Sequence, residues 1–276
     1  LNALIHINHI NSSALATGEK SPYYFILLFE GKASFNVDFT EYKCEGKNLL
    51  FLSPYQLLNW KNPNLNLTLI QFHGDFYCIE YHKKEVACNG ILFNNIYQQP
   101  FVTVNPDVYN EIKDITIKMQ NFVGSTEDYY ISVLRSYLQL ILALSSKEKQ
   151  QNVINPIYHP TFEESVLKFQ ALLEEHFREA KDVAFYASKL GLSADTLSKK
   201  VKKQFGKSPS KLIQERIVLE SKKLLHLTYK SVKEVAIELN FKDEFYFSRY
   251  FKKEVGLSPK KFREEAGISI VAKKSM

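Results

Sequence analysis

SVKEVAIELNFKDEFYFSRYFKKEVGLSPKKFRE, residues 231–264, contains a second copy of something written about fifty positions earlier. FSRYFKKEVGLSPKKF (247–262) and LSKKVKKQFGKSPSKL (197–212) are identical at seven of sixteen positions. Upstream of each lies an apolar set at i, i+3, i+4, i+7: Val183, Tyr186, Ala187 and Leu190, then Val232, Val235, Ala236 and Leu239. That spacing places four side chains on one core-facing stripe of a helix. Ser231 and Glu234 have the form of a capping box. Gly191 and Asn240 follow the stripes, and these two residue types most readily take the left-handed backbone that ends a helix. Ser193 and Asp243 then suit the N-caps of following helices. The offset between copies is 49 before this turn and 50 after it, so the second turn is one residue longer. A helix, a tight turn and a second helix are therefore expected twice, each followed by a Ser-Pro pair, Ser208-Pro209 and Ser258-Pro259.

In the second helix of each copy, Leu197 and Val201 match Phe247 and Phe251 as buried anchors. The opposite faces carry Asp195, Thr196, Ser198, Lys199 and Lys202 in one copy, and Glu244, Phe245, Tyr246, Ser248, Arg249 and Lys252 in the other. Polar and basic side chains on a helix held by a short partner helix suit the major groove, where each base pair shows a distinct donor and acceptor pattern. A single basic helix is more often a solvated surface, but the repetition with matched caps and turns favours DNA. The charge distribution agrees. Residues 1–160 hold 12 Lys and Arg against 14 Asp and Glu, whereas residues 161–276 hold 24 against 16. A basic half joined to a slightly acidic half points to a polyanion-binding module attached to something else.

Residues 162–265 resemble the DNA-binding domain of AraC/XylS-type bacterial transcription regulators, through ASKLGLSADTLSKKVKKQFGKSPSKLIQER (187–216) and the stretch quoted at the outset. The resemblance implies two helix-turn-helix units joined by a long helix, here about 210–227. It implies base-edge contacts from Asp195, Thr196, Lys199, Phe245, Tyr246 and Arg249. Neighbouring Ser198, Lys202, Ser248 and Lys252 are candidates for phosphate contacts. Asn240 stands where the family commonly has Gly, Val201 where Phe is common, and Ser221 where Ala is common; Arg216, a typical family residue, is read as structural.

The first half reads differently. Between about Ser21 and Val104, YYFILLF, SFNVDF, NLLFL and LTLIQFHGDFY are separated by EGK, SPY and KNPN turn signals, which favours antiparallel strands in a sandwich or small barrel. After Asn105-Pro106 the period becomes helical at Val108, Ile112, Ile115 and Met119, and a second helix is expected to open at Ser125. That helix has two apolar stripes, Ile131, Leu134, Leu138 and Ile141 on one, and Val133, Tyr137, Leu140 and Leu144 on the other. The second stripe suits either burial within one subunit or a homodimer interface. Strands followed by two helices resemble the cupin-like sensor and dimerisation domain many such regulators carry. The expected division is a cupin-like domain over 1–145, a polar linker over 146–161, and an all-α DNA-binding domain over 162–276.

Other chemistries find little support. The stretch FHGDFYCIEYHKKEVACN offers His73, Cys78, His82, Glu85 and Cys88 to a metal or thiol sensor, but lacks a closely paired His-x-His. GKS at Gly206–Ser208 is no phosphate loop, because Val201 occupies the position of the required Gly and the segment follows a helix. Neither GxSxG nor HExxH occurs. The start lacks the features of a secretory signal, and three cysteines suit a reducing compartment. The expectation is a cytoplasmic, non-enzymatic regulator without cofactor or bound metal. Its expected partners are double-stranded DNA, a small-molecule effector, a second copy of itself and, if it activates, RNA polymerase. An effector-independent structural DNA binder is the alternative.

Overall fold

Residues 48–52, NLLFL, are buried at every position because separate layers cover the two faces of their strand. The computed structural model describes residues 4–15, 21–38, 40–61, 64–79, 91–93, 95–124, 129–154 and 163–267. Its strands are β1 (Ile5–Asn11), β2 (Tyr24–Glu30), β3 (Ala33–Val37), β4 (Thr40–Cys44), β5 (Lys47–Leu52), β6 (Leu58–Trp60), β7 (Asn66–Phe72) and β8 (Phe101–Thr103). They form an antiparallel five-stranded sheet in the order β1-β7-β2-β5-β8 and a three-stranded sheet in the order β4-β3-β6. Leu27, Phe29, Leu50, Leu52 and Leu69 of the large sheet meet Phe35 and Trp60 of the small one in a core between the sheets. The intervening residues Ile26, Leu28, Leu49, Phe51, Ile70 and Phe72 face the other way. They are covered by α1 (Pro106–Gln120) and α2 (Tyr130–Ile154), through Ile112, Ile115, Met119, Leu134, Leu138 and Ile141. Two-sided burial explains why β2 and β5 read as continuous apolar runs rather than alternating ones.

This is the sandwich form of the expected β fold, and its aromatics are core: Phe29, Phe35, Phe51 and Phe72 are each at most 1% exposed. β1 was not anticipated. Its IHINHIN sequence carries only three apolar residues, yet it pairs with β7 along its whole length, from Ile5 opposite Phe72 to Asn11 opposite Asn66. The expected helix start at Ser125 lies outside the described residues. Tyr137 and Leu144, from the stripe whose partner was left open, pack against the core of their own unit, while Leu140 is 42% exposed.

The expected linker needs correction over its first nine positions, 146–154, which continue α2. Polar composition suggested exposure, and Lys147, Gln150 and Gln151 are exposed, but Glu148 and Lys149 are buried because they bond backbone groups of neighbouring segments. Lys149 Nζ donates to Gln99 O at 2.8 Å, and Asn105 N–H donates to Glu148 Oε2 at 3.0 Å. Ser145, just ahead, returns its hydroxyl to Ile141 O at 2.7 Å. The rest of the expected linker, 155–161, lies outside the described residues.

The second unit is helical: α3 (Glu164–His176), α4 (Val183–Lys189), α5 (Ala194–Phe205), α6 (Pro209–Leu227), α7 (Val232–Glu238), α8 (Glu244–Val255) and α9 (Pro259–Ala266). It comprises Pro156–Met276 together with Ile96–Gln98, while Leu1–Asn95 and Gln99–Asn155 make the first unit. The three-residue strap is held by specific bonds. Tyr97 Oη donates to Glu174 Oε1 at 2.7 Å, its ring packs on Phe205 at 5.5 Å, and Lys207 Nζ donates to Ile96 O at 3.2 Å. Burial, then the neighbouring Glu174, holds the Tyr97 phenol well above its ordinary range.

Beside the strap, Arg216 bonds Glu174 (2.8 Å) and Glu220 (3.0 Å), and Arg178 reaches the other oxygen of Glu220 at 2.9 Å. The Arg216 guanidinium lies 3.8 Å from the Phe177 ring centre, so this arginine is a structural residue. Burial pushes the Glu220 carboxyl up, but the bond and charge of Arg216, with Lys223 and Arg178, outweigh it and leave it below its ordinary value of 4.5.

Two outcomes follow from these contacts. Tyr97→Phe removes one hydrogen bond worth about 1 kcal/mol, and hydrogen exchange should quicken in α3 and α5 while β2 and β5 amides stay as they were. Equal quickening in both units would show that the strap does not belong to the helical one. Glu220→Gln leaves two arginines short of a charge and should cost about 3 kcal/mol in denaturant titration. Because the folded carboxyl is depressed, its contribution is present above its ordinary value and is lost as pH falls through the folded value. The gap between wild type and Glu220→Gln should therefore close on acidification, and a gap unchanged down to pH 3 would contradict the ion network.

Candidate nucleic-acid interface

Each repeat is built outward from a small core. Tyr186 and Ala187 of α4 and Leu197 and Val201 of α5 are buried, as are Val235, Ala236, Phe247 and Phe251 of the second pair. Fully burying a residue such as Phe247 contributes about 2–3 kcal/mol, so four or five such anchors can fix a pair of short helices. Asp182 starts α4 by accepting the Phe185 N–H at 2.9 Å. Ser231 starts α7 with a full capping box: Glu234 N–H donates to Ser231 Oγ at 3.2 Å and Ser231 N–H to Glu234 Oε2 at 2.7 Å.

The turns match in detail. Gly191 has φ 64° and Asn240 has φ 53°, both left-handed. The next amide closes the helix end in each case, Leu192 N–H to Ala187 O and Phe241 N–H to Ala236 O, both 2.9 Å. These are the six-to-one bonds of a Schellman turn. Four residues separate α4 from α5 and five separate α7 from α8, which accounts for the changed offset. The second helices then start at matching caps. Thr196 N–H donates to Ser193 Oγ at 3.1 Å, and Tyr246 N–H donates to Asp243 Oδ1 at 2.7 Å. Both helices end at left-handed glycines, Gly206 and Gly256.

α6 joins the two repeats. Lys211 on α6 lies 3.7 Å from Glu254 of α8, and Arg263 of α9 donates to Leu225 O at 3.0 Å. A further tie was not foreseen. Lys181, in the loop before α4, donates to Asn240 O at 2.5 Å and sits 3.8 Å from the Phe241 ring centre, so the first repeat grips the turn of the second. Burial lowers the Lys181 pKa. In the sequence it is one lysine among many, without a spacing to single it out.

The outward faces hold the expected residues. On α5, Asp195, Lys199 and Lys202 are exposed, and Thr196 and Ser198 are half-buried. On α8, Phe245, Tyr246, Arg249 and Lys252 are exposed, and Ser248 is half-buried. Asp195, Lys199 and Lys202 are spaced i, i+4, i+7, as are Phe245, Arg249 and Lys252, giving each helix one outward stripe. The stripes differ in chemistry. Lys199 pairs with Asp195 at 2.8 Å, and the hydrogen bond and charge of Asp195 raise its pKa. On α8 the position equivalent to Asp195 is Phe245, and Tyr246 beside it leans on Phe241 with ring centres 5.8 Å apart. Glu163 pairs with Lys200 on the flank of α5, away from the outward stripe. Of the residues put forward for a metal site, His82, Glu85 and Cys88 lie outside the described residues, and His73 Nδ1 accepts the Asp75 N–H at 3.2 Å. Among the described residues no group of three His, Cys, Asp or Glu side chains could hold a metal ion.

Two repeats of a capped short helix, a left-handed turn and a basic outward helix define a double helix-turn-helix unit. Residues 186–265 match the helix-turn-helix domain family, and this part of the chain is a helix-turn-helix domain. The chain is 26% identical over 163 residues to the HTH-type transcriptional activator RhaS of Escherichia coli, a match covering 58% of this chain and 56% of RhaS. It thus spans little more than half the length of that relative. Among solved structures, the C-terminal domain of AraT, a response regulator from Geobacillus stearothermophilus, is 26% identical with a TM-score of 0.37, covering 40% of this chain and 92% of that one. ToxT from Vibrio cholerae O395 is 15% identical with a TM-score of 0.42, covering 95% and 98%.

Asn240 offers a direct check of the turn. Asn240→Gly should leave thermal stability within about 0.5 kcal/mol of wild type, whereas Asn240→Val, β-branched at positive φ, should cost about 1–2 kcal/mol. Equal stability of the two variants would mean that position 240 need not be left-handed.

Proposed function

We propose that this chain is a sequence-specific, DNA-binding transcription regulator, an activator whose β-rich unit senses a small effector or pairs subunits. One observation carries the DNA-reading part: two outward helices with matched caps and turns, each presenting a basic stripe on a helix fixed by buried anchors. Base edges are read by Asp195, Thr196, Lys199, Phe245, Tyr246 and Arg249, and phosphates are engaged by Ser198, Lys202, Ser248 and Lys252. The similarity to an activator supports the direction of regulation. A second copy of the chain would place two such units on paired sites and raise affinity through effective concentration. RNA polymerase is the partner an activator requires. The reading is not that of an enzyme, and its place is the bacterial cytoplasm. Among the described residues no helix is long and apolar enough to cross a membrane.

Selection of genomic fragments by the full chain at moderate salt tests this directly. The expected result is enrichment of a shared sequence over competitor DNA. Uniform retention of all fragments would instead favour the effector-independent structural binder and remove the specific regulator. On an enriched fragment, Lys252→Ala should weaken all sequences alike and reduce the slope of log affinity against log salt by about 1. Arg249→Ala should relax preference at one base pair, losing about 1–3 kcal/mol of discrimination there. Identical salt slopes for wild type and Lys252→Ala would exclude a phosphate contact at that position.

A further inference from the structure

The two repeats agree in caps, turns and anchors, but they diverge at the second residue of the outward helix. There α5 carries Asp195 and α8 carries Phe245. The amino-terminal residues of a recognition helix are those that address base edges. Phe245 is 74% exposed, more than Tyr246 at 50%, whose ring is partly occupied by Phe241. An apolar ring 74% exposed, in line with Arg249 and Lys252 on one helical stripe, gains little from burial within the unit. Its placement, on the basic outward stripe, suits contact with something apolar that arrives with a polyanion. In the major groove the apolar feature of a base edge is the C5-methyl group of thymine.

We propose that Phe245 is a specificity-determining residue that reads a thymine methyl group in the segment facing α8. On α5 the equivalent residue, Asp195, cannot make that contact, since it is a carboxylate held 2.8 Å from Lys199. The two halves of the site therefore differ at this position: an aromatic ring that can sense methylation at pyrimidine C5 stands on α8, where α5 has a carboxylate. This assignment rests on the DNA-reading function proposed above.

Deoxyuridine differs from thymidine only by the missing methyl, so it isolates the contact. A duplex enriched by the full chain is resynthesised with each thymine replaced in turn by deoxyuridine, and affinity is measured at fixed salt. One or two replacements within the half facing α8 should weaken wild-type binding about four-fold, the worth of one buried methyl group. Phe245→Ala should bind the all-thymine duplex more weakly by a similar factor and no longer distinguish it from the sensitive deoxyuridine duplex. Phe245→Leu should keep part of the distinction, and Asp195→Ala should keep all of it. Because Phe245 is exposed, its replacement leaves the anchors Phe247 and Phe251 in place, and an unchanged circular dichroism spectrum checks this. If the enriched duplex binds but no deoxyuridine position matters, the methyl contact is wrong while the regulator stands. If Phe245→Ala still distinguishes the duplexes, another residue reads the methyl and the assignment to Phe245 fails. If no duplex is enriched, both readings fall together.

Discussion

A chain that must leave one helix and begin another within four or five residues has to reverse its backbone hand at one position, and here that position is Gly191 in the first repeat and Asn240 in the second. The reversal lets the next amide reach back to Ala187 O or Ala236 O, and the caps at Ser193 and Asp243 can form only if the chain emerges in that direction. Glycine meets the requirement without steric cost, and asparagine is among the few other residues that tolerate it. The direction of each outward helix, and so of every side chain on its stripe, follows from this turn. Lys181 reinforces the costlier of the two by bonding Asn240 O.

The helical half was largely legible because its signals are local. N-caps, Ser-Pro starts and i, i+3, i+4 stripes all lie within a few residues of one another, and the repeat shows each of them twice. The β half was legible where strands are buried on both faces, as in residues 48–52, or alternate cleanly, as in β3, and poorly legible where polar residues dominate. β1 escaped because an edge strand with three isoleucines among polar residues looks like a loop, and only the seven residue pairings with β7 make it a strand. The buried polar run at the end of α2 was misread for a related reason. Glu148 and Lys149 look solvated in sequence, and their partners, the Asn105 amide and the Gln99 carbonyl, lie more than forty residues away.

Within the interface, sequence located the stripes but could not say which side chains are already engaged. Asp195 and Lys199 are both candidates by position, yet they satisfy each other, whereas Phe245 stands in the equivalent place as an exposed ring. Lys181 was invisible for the opposite reason, since its role depends on a contact 59 residues along the chain.

The strap at Ile96–Gln98 bears on how such a chain comes to fold. Its bonds to Glu174 and Lys207 span 77 and 111 residues, so a helical unit that looks local carries contacts of high sequence separation. Closing those loops late in synthesis raises the contact order of the unit above that of its helices alone. It also means that the covalent order of the chain and the membership of its folding units do not coincide. The polypeptide passes into the helical unit at residue 96, leaves after 98 and returns at 156, and a cut between the two halves of the sequence would not be a cut between the two units.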